Sequence, residues 1–141
     1  MVNQYKKAEI PMDVAWVDID YMDVYKIFTF CPTRFPIDKF SEFVNKLHKN
    51  HQKLVTIVDP GVKVEKGYKT YDEGVEKNLF IKRSDGKDFV GKVWPGTTVF
   101  PDWFHPEIEQ YWTESFRHWL SQVPIDGIWI GMLLNYVILI L

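Results

Sequence analysis

Apolar positions along this chain alternate between two spacings. From Met12 to Asp18 the run Met-Asp-Val-Ala-Trp-Val-Asp is short, β-rich and ends in an acid. Residues 19–35 lack a sustained period and read as loop, with Pro32 near their end. Pro36 then stands where a first helical position belongs, and Phe40, Phe43, Val44 and Leu47 recur at helical spacing, which predicts a helix over about 37–50. Leu54 to Val58 is a continuous apolar run stopped by Asp59-Pro60-Gly61, a strand followed by a breaker.

Residues 62–100 form a long excursion. Asn78–Lys82 and Phe89–Val93 flank Ser84-Asp85-Gly86-Lys87 and predict a hairpin, closed by Trp94-Pro95-Gly96. A second helix is expected to start at Pro106, with Glu107 and Glu109 in its first turn, where the helix dipole favours acids. Ile108, Tyr111, Trp112, Phe116, Trp119 and Leu120 make its apolar stripe. Gly127–Ile130 reads as a third strand. The order strand, helix, strand, excursion, helix, strand implies a parallel sheet with right-handed crossovers. The strands read as apolar on both faces, as buried parallel strands do. Two of the three end in aspartate, Asp18 and Asp59, and strand C-termini carry the chemistry of (β/α) barrels.

Composition narrows the function classes. The net charge is −2, which gives no basic footprint for nucleic acid or an anionic membrane surface. Residues 127–141 are uncharged and mostly apolar, but a membrane span takes roughly 20 residues, so they read as a buried element or a non-native tail. Cys31 is the single cysteine, so no internal disulfide forms. The start shows no basic region followed by an apolar one, and no Asn-x-Ser/Thr sequon occurs. Aromatic residues are 16% of the chain, enough either for a well-filled core or for a cleft in which ring faces stack on sugars. Asp20 and Asp23 lack the glycine and distal glutamate of a calcium loop. His48 and His51 lie about one helical turn apart and read as solvated.

Five blocks are specific. Ile10-Pro11-Met12-Asp13-Val14, Trp16 and Asp18-Ile19-Asp20-Tyr21-Met22-Asp23 lead into Phe28-Thr29-Phe30. Ile57-Val58-Asp59-Pro60, Lys92-Val93-Trp94-Pro95-Gly96, Phe100-Pro101-Asp102 and Asp126-Gly127-Ile128-Trp129-Ile130 follow in order. Together they resemble glycoside hydrolase family 31, the α-glucosidase and α-xylosidase family, over about residues 5–130. The resemblance implies an α/β fold, a partial (β/α)8 TIM barrel of about strands two to four, with a β-rich insertion after the third strand. It implies a retaining α-glycosidase acting on terminal α-linked glucose or xylose. Its partner is an α-linked oligosaccharide or glucoside substrate; no cofactor, metal, nucleic acid or membrane is implied, and a secretory or lysosome-like compartment fits the family.

Carried over residue by residue, Asp18 would bind sugar hydroxyls in the −1 subsite, and Ile57, Trp94 and Trp129 would line the same pocket. The plainer alternatives are a satisfied strand-end acid for Asp18 and core packing for Trp94 and Trp129. The ordered motifs favour the sugar-site reading. Asp59 and Asp102 are expected to hold loops.

The family's nucleophile closes the fourth strand, in a Trp-Ile-Asp-Met-Asn-Glu motif. Here that position is Gly131, and Leu133-Leu134 stand where Asn-Glu should follow Met132. The acid/base lies on a later strand that these residues do not include. The expected division is therefore 1–130 as an incomplete barrel (excursion about 62–100) and 131–141 as a non-native tail. An intron read in frame explains the tail: if the last exon base is the G of an aspartate codon, GTATGTT continues as Gly-Met-Leu. A true Asp→Gly change with a frameshift is the alternative. Either way the chain is expected to be inactive and poorly soluble, its open edges and uncovered apolar surface exposed. The other reading is a non-catalytic sugar-binding or interaction fragment.

Overall fold

The computed structural model describes residues 1–130. Gly131 and the tail to Leu141, including the predicted nucleophile position, lie outside the described residues. A short helix α1 (Val2–Lys7) precedes β1 (Val14–Val17), α2 (Ile37–Lys49) and β2 (Lys53–Ile57). The excursion contains β3 (Val62–Lys63), α3 (Lys69–Glu76), β4 (Val90–Val93) and β5 (Gly96–Val99). The chain then forms α4 (Ile108–Leu120) and β6 (Gly127–Trp129).

Two sheets result. Strands β1, β2 and β6 lie side by side in that order, all parallel. The second sheet has the order β3–β5–β4 and is antiparallel. The α/β alternation read from the sequence is present, and no closed barrel is formed among the described residues.

The parallel register sorts the strands into two faces, because side chains of paired residues in a parallel ladder point the same way. Ala15, Val17, Leu54, Thr56 and Ile128 share one face. Ala15, Leu54 and Thr56 are buried, and Phe40, Val44 and Leu47 of α2 belong to the same core. Trp119 of α4 is fully buried, stacked 5.7 Å from Phe30 and 5.8 Å from Tyr21. Val14, Trp16, Val55, Ile57, Gly127 and Trp129 share the other face. There Val14, Trp16 and Trp129 remain 50%, 42% and 54% exposed. The expectation of strands buried on both faces therefore holds in full for one face only: helices cover the first, while on the second Ile57 is buried and Val14, Trp16 and Trp129 stay open.

Both long helices form for local reasons. In α2, Asp38 sits in the first turn and Lys46, His48 and Lys49 in the last, each sign matched to the helix dipole. Helix α4 starts at Ile108, two residues later than expected, with Glu107 as its cap and Glu109 in its first turn. The His105 ring accepts the Glu107 amide at 3.2 Å, which satisfies a donor that the first turn leaves free.

The predicted hairpin is corrected. The Ser84–Lys87 turn exists: Arg83 donates to the Lys87 carbonyl at 2.8 Å and Phe89 to that of Ile81 at 2.7 Å. Beyond it, however, β4 pairs with β5 rather than with 78–82. Trp94-Pro95-Gly96 is the turn of that second hairpin, not the closure of the first. Val93 pairs with Gly96, so Trp94 and Pro95 are the two loop residues, and Gly96 follows them at φ +99°, a conformation that favours glycine. Helix α3 has little apolar period and was not expected from the sequence. It is held by close approach instead: a Cβ on Gly74 would lie 2.2 Å from the ring of buried Phe80.

Candidate functional site

The loop after β1 begins at Asp18, whose Oδ1 accepts the Ile19 amide at 2.7 Å and caps a single 3₁₀ turn, Ile19–Tyr21. That turn delivers buried Tyr21, whose hydroxyl donates to the Ile57 carbonyl at 2.8 Å. Burial drives the Tyr21 phenol well above its usual range, so it stays a neutral donor. The contact clamps the carboxyl end of β1 to that of β2. The next turn is tight, with Val24, Tyr25 and Phe28 all at positive φ. It is held by Thr29, whose hydroxyl accepts the Asp23 amide at 3.0 Å and donates to the Lys26 carbonyl at 2.6 Å.

Two residues past β2 lies Asp59, the only buried carboxylate among the described residues, 6% exposed. Its Oδ2 accepts the Trp94 indole N–H at 3.0 Å, and its Oδ1 meets no donor among them. Burial pushes the Asp59 carboxyl above its ordinary value; the Trp94 N–H works against the rise and the Asp18 carboxylate adds to it. Trp94, 54% exposed, thus sits at the tip of the β4–β5 hairpin with its polar edge anchored at the end of β2.

Ile57 and Trp129 are partners across β2 and β6, at the carboxyl ends of both strands. Trp129 packs edge-on against Trp16 at 6.0 Å between ring centres. The four residues singled out from the sequence, Asp18, Ile57, Trp94 and Trp129, therefore all belong to the carboxyl end of the parallel sheet. Trp16 joins them on the same face through the β1–β2 register, which alternation within a single strand does not reveal. Asp59 does hold a loop, and what it holds is Trp94. Asp102 also holds one, accepting the Phe104 amide at 3.0 Å.

The opposite end of the sheet carries a different acid. Asp126, just before β6, accepts the Leu54 amide at 2.9 Å and His48 Nε2 at 2.7 Å on Oδ2, and Lys53 Nζ at 2.9 Å on Oδ1. Burial opposes its charge, but these three donors outweigh it and bring the carboxyl down to about 2. His48 is therefore not simply solvated, as its helical spacing suggested; it ties the last turn of α2 to β6.

Among the described residues, no group of three or more His, Cys, Asp or Glu is placed to hold a metal, and no helix is long and apolar enough to cross a membrane.

The carboxyl ends of parallel strands are the side on which (β/α) barrels build their active sites. Residues 1–135 match the glycosyl hydrolases family 31 TIM-barrel domain, and the chain belongs to that family. It is 45% identical over 135 residues to a probable alpha/beta-glucosidase, agdC, of Aspergillus clavatus, covering 94% of this chain and 15% of that protein. It is 43% identical over 129 residues to the alpha-glucosidase of Mucor javanicus, covering 92% and 15%. The chain thus spans about 15% of the length of these curated relatives. Among solved structures it resembles an ER glucosidase II heterodimeric complex of catalytic subunit and regulatory-subunit binding domain. There the TM-score is 0.83 at 32% identity, covering 92% of this chain and 14% of that one. It also resembles a family 31 alpha-glucosidase from Bacteroides thetaiotaomicron, with TM-score 0.77 at 37% identity, covering 91% and 21%.

Proposed function

We propose that the complete protein is a retaining α-glucosidase acting on terminal α-linked glucose, and that this chain supplies part of its −1 subsite. The observation that carries the reading is the gathering of Asp18, Ile57, Trp94 and Trp129 at one end of the parallel sheet in a family 31 chain. In this role Asp18 accepts hydrogen bonds from two neighbouring sugar hydroxyls, which fixes the ring and strengthens as charge develops in the transition state. Ile57, Trp94 and Trp129 offer an apolar wall to the ring face. Strands β1, β2 and β6 correspond to the second, third and fourth of the barrel, and residues 62–100 to an insertion after the third.

Retention requires two carboxyl groups about 5–5.5 Å apart, one attacking the anomeric carbon and one passing a proton to the leaving oxygen and later activating water. At the nucleophile position stands Gly131, which has no side chain to form the glycosyl-enzyme. The acid/base has no counterpart among these 141 residues. By itself, therefore, the polypeptide hydrolyses nothing. Residues 131–141 are read as an intron translated in frame. Sequencing the transcript across codon 131 tests this directly. A spliced message continuing Asp-Met-Asn-Glu is the expected result; a message encoding Gly-Met-Leu-Leu throughout overturns the splicing account. Calorimetry with maltose tests the subsite. Heat of binding that disappears in Asp18→Ala supports it; binding indifferent to Asp18 and Trp94 contradicts it.

A further inference from the structure

We propose that Asp59 is a positioning residue, whose carboxylate grips the indole N–H of Trp94 and so sets the height and tilt of the aromatic platform over the carboxyl ends of β1 and β2. The proposal rests on the sugar-subsite reading only for what lies on the platform; the grip itself stands without it.

Three observations carry it. Trp94 is more than half exposed at a hairpin tip, so packing alone does not fix its ring, yet its single polar atom is bonded at 3.0 Å to a buried acid 35 residues away. Burying a carboxylate is costly unless donors surround it. Asp59 nevertheless has one oxygen engaged and the other without a donor among the described residues. A residue kept only to brace a loop is better served by a neutral amide, which makes the same contact without the charge. Finally, a carboxylate accepts a hydrogen bond about twice as strong as a neutral oxygen does, so the hold on Trp94 depends on the charge.

Two titratable side chains face Asp59 in the described structure. Asp18, from the loop after β1, repels it, and Tyr21, on the 3₁₀ turn, stays neutral. Their arrangement makes the grip strongest when Asp59 is ionised. It also makes the grip responsive to Asp18: cancelling the Asp18 charge, by substitution or by a bound donor, favours ionised Asp59 and tightens the hold on Trp94. The subsite acid and the platform are in this way coupled through one buried group.

The test is proton–nitrogen correlation spectroscopy of the chain with ¹⁵N-labelled tryptophan, the Trp94 indole signal being assigned by its loss in Trp94→Phe. Buried Trp119 reports whether the fold is present. The expected result is a downfield, slowly exchanging Trp94 N–H that moves upfield as pH falls. In Asp59→Asn the signal stays protected, since an amide oxygen still accepts, but no longer titrates. In Asp59→Ala it moves to the free-indole position while Trp119 is unchanged. In Asp18→Asn the Trp94 titration shifts to lower pH. Maltose affinity, where measurable, falls about tenfold in Asp59→Ala, the worth of one hydrogen bond, and is restored only in part by Asp59→Asn, whose neutral amide oxygen makes the weaker bond. A Trp94 signal indifferent to pH and to Asp59→Ala overturns the proposal. So does an undispersed Trp119, because the contact then does not exist in this chain. If the chain binds no maltose but the Trp94 signal behaves as stated, the subsite reading fails and the positioning role stands.

Discussion

The two ends of the parallel sheet treat an aspartate in opposite ways. At the amino end Asp126 has both oxygens occupied, by a main-chain amide, a histidine and a lysine, and its carboxyl is held down to about 2. At the carboxyl end Asp59 is more deeply buried, has one partner among the described residues, and is pushed up by burial and by Asp18. The first arrangement ties β6, β2 and α2 together. The second spends stability to keep an acid beside Asp18 and beneath Trp94. In a (β/α) fold the amino end is where stability is built and the carboxyl end where chemistry is done. The same side chain thus stands in two settings, and the number of donors around it tells them apart.

The largest effect that would sharpen this contrast is at the amino end. Asp126→Ala strands the Leu54 amide and leaves Lys53 and His48 without their acceptor, and should cost about 2 kcal/mol in urea unfolding. Asp59→Ala, which loses one hydrogen bond but also a buried charge, should cost less than half as much. Equal losses at the two positions would erase the distinction.

Next in size is the response to acid, which has opposite signs at the two ends. The folded carboxyl of Asp126 lies below its unfolded value, near 3.9. Its contribution is therefore full above about pH 4 and fades as pH falls toward 2, by about 1 kcal/mol once solvent screening is allowed for. The Asp59 carboxyl is raised in the folded state, so the native chain binds the extra proton and stability is gained as pH falls through that raised value. Urea midpoints between pH 3 and 8 should lose the acid limb in Asp126→Asn and the opposing slope in Asp59→Asn.

At pH 7 Asp59→Asn should leave stability unchanged or raise it by about 0.5 kcal/mol, because it removes a poorly compensated buried charge. A loss above about 1 kcal/mol would mean that Asp59 is a stabilising acid after all. Smallest is Lys53→Met: its side chain is 61% exposed, so breaking its pair with Asp126 should cost only a few tenths of a kcal/mol.

How much of this was legible follows from how local each signal is. Helix α2 and the three parallel strands were readable because Phe40, Val44, Leu47 and the run Leu54–Val58 state their burial in their own spacing. Strand β5, Gly-Thr-Thr-Val, and the two-residue β3 carry no such period; their pairing depends on Trp94-Pro95-Gly96 being a turn. Helix α3 depends on Gly74 admitting the Phe80 ring, a contact no pattern announces. Within the site, strand-end position and motif order pointed to Asp18, Ile57, Trp94 and Trp129. The bonds that give the acids their different characters, Asp59 to Trp94 and Asp126 to His48, join residues 35 and 78 apart and became visible only in the fold.

The most direct measurement is treatment of the purified 141-residue chain with a mechanism-based α-glucosyl trap, read by mass spectrometry beside an aryl α-glucoside assay. The account predicts no covalent adduct and no turnover, with labelling only in a protein that carries aspartate at position 131 and the remaining barrel strands. A glucosyl adduct on the chain as it stands, accompanied by release of the aryl group, would contradict it.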